Sequence, residues 1–481
     1  MADTELNDSQ FEKCEADLCH TAKIQGLGAL CWINRKNWQI QYVSENTKNF
    51  IADHLSLLGN NAFDALPARV TNLFDLARNN HPIETSLTNC TAIVTALDSS
   101  VLVELEPLPL TANFDQKLPV APPADSIEEI MNWVLKEMLK TSGYKRSLLY
   151  RFNTDHSGEV IGEHYEDEGE RFIGLRYPAT DIPKVARDLY KTMPLRYIHD
   201  TKSEPISMVG LSSLDKHSLN LSQTYLREVS PFHIKYLQNM GVIGSLSIPI
   251  LRQDQLWGLF SLHADEATFV DIYKRKHLIE LMKVYKNKLI YFENQERMNF
   301  LDKFKMTIKN FMVEVLDWDT KKASFIADAK DLFKCDEVYI YNNGKLCCSG
   351  QSDRETFDFI EEVLLQNHDG IYHTDSIKEG FRVSSNLARE KAGLLSISIY
   401  CEKNDYSLNF IFFRHEVLKE VTWGSKVEFY PGDENPINSF GRWKTQVEYH
   451  STTWDSRTLI AAQELYNQGK LTLKTLAHSG L

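Results

Sequence analysis

Residues 230–242 gather more chemistry than any other stretch of the chain. Ser230 can cap a helix start, Pro231 fits a first turn where its missing N–H costs nothing, and Gly241 can end the helix in a left-handed conformation. His233, Tyr236 and Met240 then share one face at i, i+3 and i+7, setting an imidazole and a phenol together beside an apolar group. That face suits a ligand wall, and equally a core helix whose histidine and tyrosine are satisfied by hydrogen bonds. Asp181 stands between Pro178 and Pro183, ahead of a helix carrying Val185 and Leu189, a setting for an N-cap or for a carboxylate and carbonyl aimed into a cleft. Arg196, after Tyr190, and Arg227, before 230–242, have the planar fork that pairs with carboxylates or phosphates, although surface solvation is the ordinary fate of an arginine. His263 ends an apolar run from Trp257, where a buried, backbone-satisfied histidine is the common outcome. Gly26-Leu-Gly28 is a lone G-x-G, and no nucleophile elbow, phosphate-binding loop or zinc-protease helix occurs. The set signals binding of a large apolar ligand with carboxylates, and no catalysis.

Periodicity shows what must position these residues. Residues 29–33 and 101–105 read as strands of a small α+β domain, followed by a proline-rich linker at 118–124. A capping box at 126–129 opens a helix with an apolar stripe at Ile127, Ile130, Val134 and Met138. Hairpins are predicted at 147–152 with 159–162 and at 244–251 with 256–263. From 270 to 304 no glycine or proline interrupts, and Leu278, Met282, Tyr285, Leu289 and Phe292 form a coiled-coil-like seam that either pairs two chains or lies on its own domain. Beyond it, 395–401 and 408–412 alternate like a half-buried antiparallel sheet, 414–452 is extended, and a helix runs from 455 to 468.

The 481 residues suffice for about three domains. With 53 basic and 66 acidic side chains the net charge is −13, which disfavours a general affinity for nucleic acid or anionic membrane. The eight cysteines show neither CxxC nor zinc spacing, so a reduced cytoplasmic setting is expected; no signal peptide or membrane-spanning run is present in the sequence.

Several motifs then fall into a familiar order. Tyr150-Arg-Phe152 with Gly158-Glu-Val160, residues 178–183, residues 230–242, and Leu256-Trp-Gly258 through His263 resemble the photosensory module of bacterial phytochromes, built from PAS, GAF and PHY domains in series. Phe413-Arg-His-Glu416, Trp423-Gly424 and Ser439-Phe440 with Trp443 resemble that family's tongue, a hairpin that covers the chromophore. The resemblance spans nearly the whole chain. It implies an α+β fold of three antiparallel sheets with flanking helices, joined by long helices: an N-terminal arm (1–25) threaded as a knot with Ile24 near the crossing, a PAS domain (26–117), a GAF chromophore-binding domain (125–298), and a PHY domain (299–470) with its tongue at about 410–452. Residues 471–481 would begin a helical linker to an output domain outside this chain, such as a histidine kinase or diguanylate cyclase.

The function so implied is red/far-red light sensing by biliverdin, a linear tetrapyrrole in thioether linkage, in a homodimer paired through the long helices and relaying the signal by tongue refolding. Arg196 and Arg227, with Tyr190, Ser245 and Ser247, would hold the propionates. The Asp181 carbonyl, beside Ile182, would accept pyrrole N–H bonds, joined by His233 through water. His263 would hold the carbonyl of the turning ring between Tyr150, Phe172, Tyr177 and Tyr236. Plant and cyanobacterial members attach the pigment at a cysteine just before the helix histidine, where this chain has Phe232; bacterial members use a cysteine six residues ahead of an arm histidine, as Cys14 stands to His20. Cys14 is therefore the expected attachment point, with Cys19 and Cys31 as alternatives lacking that spacing. Two departures stand out: 22–28 is one residue shorter than the family's pattern, and Ile437 replaces the tongue arginine that pairs with the aspartate matched by Asp181, so that either Arg442 or another donor substitutes or the dark-state tongue contact is weaker than in relatives. The rival readings are a GAF-type small-ligand sensor without photochemistry, and an enzyme.

Overall fold

The computed structural model describes residues 22–77, 82–109, 117, 119–153, 155–179, 181–182, 184–212, 214, 219–316, 322–348, 353–367, 369–402, 405–425 and 440–479. They divide into two units, 1–290 with 422–443, and 291–421 with 444–481.

The first unit holds two sheets. In the first, strands run in the order Lys23–Ile24, Ile206–Gly210, Ile40–Ser44, Ala29–Asn34, Ser100–Pro107, Cys90–Ala96, Ile83–Ser86, with every pair antiparallel. Alternate residues of one strand enter different cores, since side chains on a strand point to opposite faces. Ala29, Cys31 and Ile33 pack with Val70 and Phe74 from the short helical segments, whereas Leu30 and Trp32 pack with Ile24, Met208 and Leu226. Glu104 and Glu106 share that second face and are fully enclosed. Glu106 pairs with the buried Arg275. Glu104 accepts the Leu226 amide at 3.0 Å, and burial, then the neighbouring Glu106, pushes its carboxyl up to about 8.

The second sheet follows the order Arg196–Ile198, Gly244–Arg252, Gln255–Ala264, Arg146–Phe152, Gly158–Tyr165, Arg176–Tyr177, with Trp423 pairing in parallel beside Arg176. Both predicted hairpins are present. One turns at Gln253 and Asp254, each at positive φ (48° and 60°), as a two-residue turn between twisted strands requires. The helix Ile127–Ser142 begins at Ser126, whose Oγ accepts the Glu129 amide at 3.2 Å, while Glu129 reaches back to the Asp125 amide at 3.0 Å instead of the expected Ser126. Its stripe at Ile130, Val134 and Met138 is buried. The long helix extends over Ile272–Leu316, twelve residues beyond the expected end, and the Asp271 carboxylate accepts from its first amides. Its seam lies on its own domain at least through Tyr285, whose ring centre is 5.3 Å from that of Phe260.

In the second unit the order is Lys345–Cys348, Glu337–Asn342, Tyr406–Arg414, Gly393–Cys401, Gly370–Thr374, all antiparallel. The expectation of a half-buried sheet is corrected here. Ser396 and Ser398 are fully buried, because helices Arg354–Gln366 and Ser385–Glu390 cover the face opposite the one packed by Lys322–Phe333 and Ser456–Ser479. The last helix runs eleven residues past its expected end. No helix among the described residues is long and apolar enough to cross a membrane, and no metal-ligating cluster occurs among them.

Candidate functional site

One face of the second sheet forms the floor of a cavity. Antiparallel register places Arg196 opposite Ser247, Ser245 opposite His263, Ser247 opposite Ser261, and Leu259 opposite Tyr150. Alternation sends these side chains to the same side. The opposite side of the same strands carries Leu246, Ile248, Phe260 and Leu149, which are buried. Gly158 is needed beneath this floor, since a Cβ there would sit 1.7 Å from the Tyr150 ring.

The helix Pro231–Asn239 supplies one wall. Pro231 occupies its first position, Gly241 ends it at φ +72°, and His233, Tyr236 and Met240 all face the cavity. Ser230 departs from expectation: its side chain makes no capping bond and lines the cavity instead. Further walls come from Phe172 and Tyr177, from Asp181 and Ile182, and from Tyr190 on the helix Lys184–Thr192. The cavity thus brings together Tyr150, Phe172, Tyr177, Asp181, Ile182, Tyr190, Arg196, Arg227, His233, Tyr236, Ser245, Ser247 and His263. Cys14 and Cys19 lie outside the described residues, as does Ile437.

Arg196 donates from Nη2 to the Arg227 and Glu228 carbonyls at 2.9 and 3.0 Å, tying its strand to the segment ahead of the wall helix. Arg227 itself is buried. Both histidines are held neutral. Burial, and then Arg196, lowers His233 to about 4; burial, then Arg146 and His233, lowers His263 to about 3. The His233 and Tyr236 rings stack with centroids 6.1 Å apart. The Tyr236 hydroxyl donates to Asp181 Oδ2 at 3.4 Å, and burial, followed by Asp181, keeps that phenol protonated. His263 Nε2 lies 3.0 Å from Ser261 Oγ, whereas its Nδ1 and the Tyr177 hydroxyl are buried with no hydrogen-bond partner among the described residues. Buried polar atoms are normally satisfied, so these orphans mark where a ligand's polar groups belong.

Sequence reasoning missed Ser261, Thr224 and Glu228, which also line the cavity. Ser261 could have been found, because it stands two residues before His263 on a strand. Glu228 carried no signal beyond its place next to Arg227.

Residues 126–285 match the family model described as GAF domain, and residues 309–472 the one described as phytochrome region. Cyanobacterial phytochrome B of Nostoc sp. is 32% identical over 354 residues, covering 70% of this chain and 46% of the relative. A bacteriophytochrome of Pseudomonas aeruginosa is 30% identical over 362 residues, covering 70% and 47%. The chain belongs to the phytochrome family. Its match to phytochromes spans about half the length of these relatives. The fold agrees: a bacteriophytochrome from R. palustris superposes with a TM-score of 0.80 at 22% identity, covering 98% of this chain and 99% of that one, and the photosensory core module of the Stigmatella aurantiaca phytochrome gives 0.80 at 24%, covering 96% and 98%. In this phytochrome core, Cys31 is buried among Ala29, Ile33 and Val43 in the first sheet's own core, and burial pushes its thiol up to about 12. It does not line the cavity, which argues against it as the attachment point.

Proposed function

We propose that the chain is the light-sensing part of a red/far-red receptor that binds biliverdin covalently through Cys14. The observation that carries this reading is the cavity itself: two arginines, two neutral histidines and an orphaned His263 Nδ1 converge on one sheet face lined by aromatic rings. Those groups fit a linear tetrapyrrole with two carboxylates. When bound, the pigment supplies the photochemistry, rotation of one ring about a methine bridge. Arg196 and Arg227, with Tyr190, Ser245 and Ser247, neutralise and bond the carboxylates. The Asp181 carbonyl accepts pyrrole N–H groups beside Ile182, and neutral His233 joins through water. His263 offers Nδ1 to the turning ring, and Tyr150, Phe172, Tyr177 and Tyr236 exclude water around it.

The remaining assignments belong to the same proposal. The three-domain division at 26–117, 125–298 and 299–470 is supported by there being one main sheet in each range, although the first sheet also takes Ile206–Gly210 and the second takes Trp423. Threading of the arm is supported by Lys23–Ile24, which pairs with Ile206 and Ser207 on one side and bridges to Arg227 on the other, with the Gln25 side chain donating to the Tyr197 carbonyl at 2.9 Å. A tongue is supported by Trp423 beside Arg176, and its refolding is the step that passes the signal on. Cytoplasmic placement, pairing of two chains and relay through the helix Ser456–Ser479 to an output domain complete the reading.

The test compares biliverdin with its dimethyl ester. The free acid is expected to bind at least tenfold more tightly to the wild type, with that preference lost in Arg196→Ala/Arg227→Ala, and a pigment that stays on the chain through a denaturing gel in the wild type is expected to wash off in Cys14→Ser. Equal binding of acid and ester, or retention in Cys14→Ser, contradicts the assignment.

A further inference from the structure

One wall of the cavity rests on a buried ion pair that the reading above leaves unused. Arg146 opens the strand Arg146–Phe152, and Glu163 sits near the end of its neighbour Gly158–Tyr165. Arg146 Nε and Glu163 Oε1 are 3.3 Å apart, close enough to pair though not aligned as a hydrogen bond, with the side chains 12% and 2% exposed. Glu163 Oε2 accepts the amides of Phe172 and Ile173 at 2.8 and 3.1 Å. The Arg146 guanidinium carbon lies 4.0 Å from the centre of the Phe172 ring and 3.9 Å from that of Tyr165, while Nη2 donates to the Glu170 carbonyl at 2.6 Å. Phe172 is thus gripped twice, at its backbone by the carboxylate and on its ring by the guanidinium.

For stability alone this arrangement is a poor choice, because desolvating two charges offsets most of what their attraction returns, and an apolar pair would pack as well. Its distinguishing property is geometric. A planar guanidinium stacked on a ring and a carboxylate bridging two consecutive amides allow one orientation. From Phe172 the chain goes on to Tyr177 by way of Leu175, whose amide donates to the Phe172 carbonyl at 3.0 Å, and Arg176 then pairs with Trp423.

We infer that Arg146 and Glu163 are positioning residues for the cavity: together they fix the Phe172 ring in the wall and set the 172–177 segment on which the strand containing Trp423 rests. That the held wall governs the light response rests on the function proposed above; the positioning itself does not.

The experiment has two arms, chosen so that each part can fail by itself. In the chromophore-free chain, amide hydrogen exchange at Phe172 and Ile173 is measured in the wild type and in Glu163→Gln, with Leu149 in the sheet interior as reference. Exchange at least tenfold faster at the two amides, with the reference unchanged, is expected; equal rates overturn the clamp. Should Glu163→Gln fail to fold with Arg146 left unpaired, Arg146→Gln/Glu163→Gln removes both charges and takes its place. In the biliverdin-loaded chain, Arg146→Lys keeps the charge and loses the planar stack, so at equal chromophore occupancy thermal reversion of the photoproduct should change at least threefold. Unchanged reversion in a photoactive wild type overturns the wall's role in the light response, whereas a wild type that does not photoconvert overturns the proposed function and leaves the exchange arm to decide the clamp.

Discussion

At the scale of single residues, the two cavity histidines connect burial to a measurable pH dependence. Each has a folded pKa below its unfolded value, near 6.5, at about 4 for His233 and about 3 for His263. The unfolded chain therefore binds more protons throughout that window. The histidines' contribution is complete above pH 6.5 and is lost as pH falls toward 4 and 3, at about 1.4 kcal/mol per pH unit for each group. Urea unfolding of the chromophore-free chain at pH 7, 5.5 and 4.5 should show this slope, and His263→Gln should lower it by about one proton's worth; an unaltered slope in that variant contradicts the assignment. Glu228 provides a second check. It lines the cavity with Arg196 and Arg227 and keeps one buried carboxylate oxygen without a hydrogen-bond partner among the described residues. Glu228→Gln removes a charge that opposes an anionic ligand, so biliverdin affinity should rise by roughly 1 kcal/mol, about fivefold; weaker binding would mean that Glu228 instead orients an arginine. Of the site, the helix face bearing His233 and Tyr236 was legible because one period governs it. The orphaned Nδ1, the silent Ser230 and the grip of Arg146 on Phe172 were not, since each depends on what a distant segment places opposite.

Among the elements, hairpins and long helices were the legible parts. A period of two bounded by Arg252 to Gln255, or an uninterrupted run after Val270, is local information. Misreadings arose where a second layer arrives from far along the chain. Ser396 and Ser398 look solvent-facing in sequence, yet helices between Arg354 and Glu390 bury them. The pairing of Ile206–Gly210 with Ile40–Ser44 joins segments about 160 residues apart, beyond any local pattern. Arg414, read in sequence only as the start of the extended segment and part of the tongue motif, donates to the carbonyls of Phe333, Lys334, Thr452 and Thr453 and lies over Trp454, so it holds the start of that segment to its own sheet. Further along that segment, Gly424 meets the Tyr177 ring, and a Cβ would approach it to 2.6 Å. Gly424→Ala should push the strand off Tyr177 and increase protease cutting within 422–447 several-fold. Unchanged cutting would show that this contact does not hold the strand.

For the whole molecule, the expected order of domains rests on motifs taken as a set, and the family models match residues 126–285 and 309–472. Composition alone gave an acidic chain of about three domains and no more. The physical picture is a sheet whose one face builds the core and whose other face builds the cavity, closed by the helix Pro231–Asn239 and by the segment that carries Phe172 and Tyr177. In the proposed function a pigment joins this architecture to light, so the central claim is tested most directly by colour. The chain should be assembled with biliverdin and its absorbance recorded before and after saturating red light, then again after far-red light. A red-region band that shifts with the first illumination and returns with the second is predicted. A colourless chain, or a coloured one whose spectrum light leaves unchanged, would contradict it.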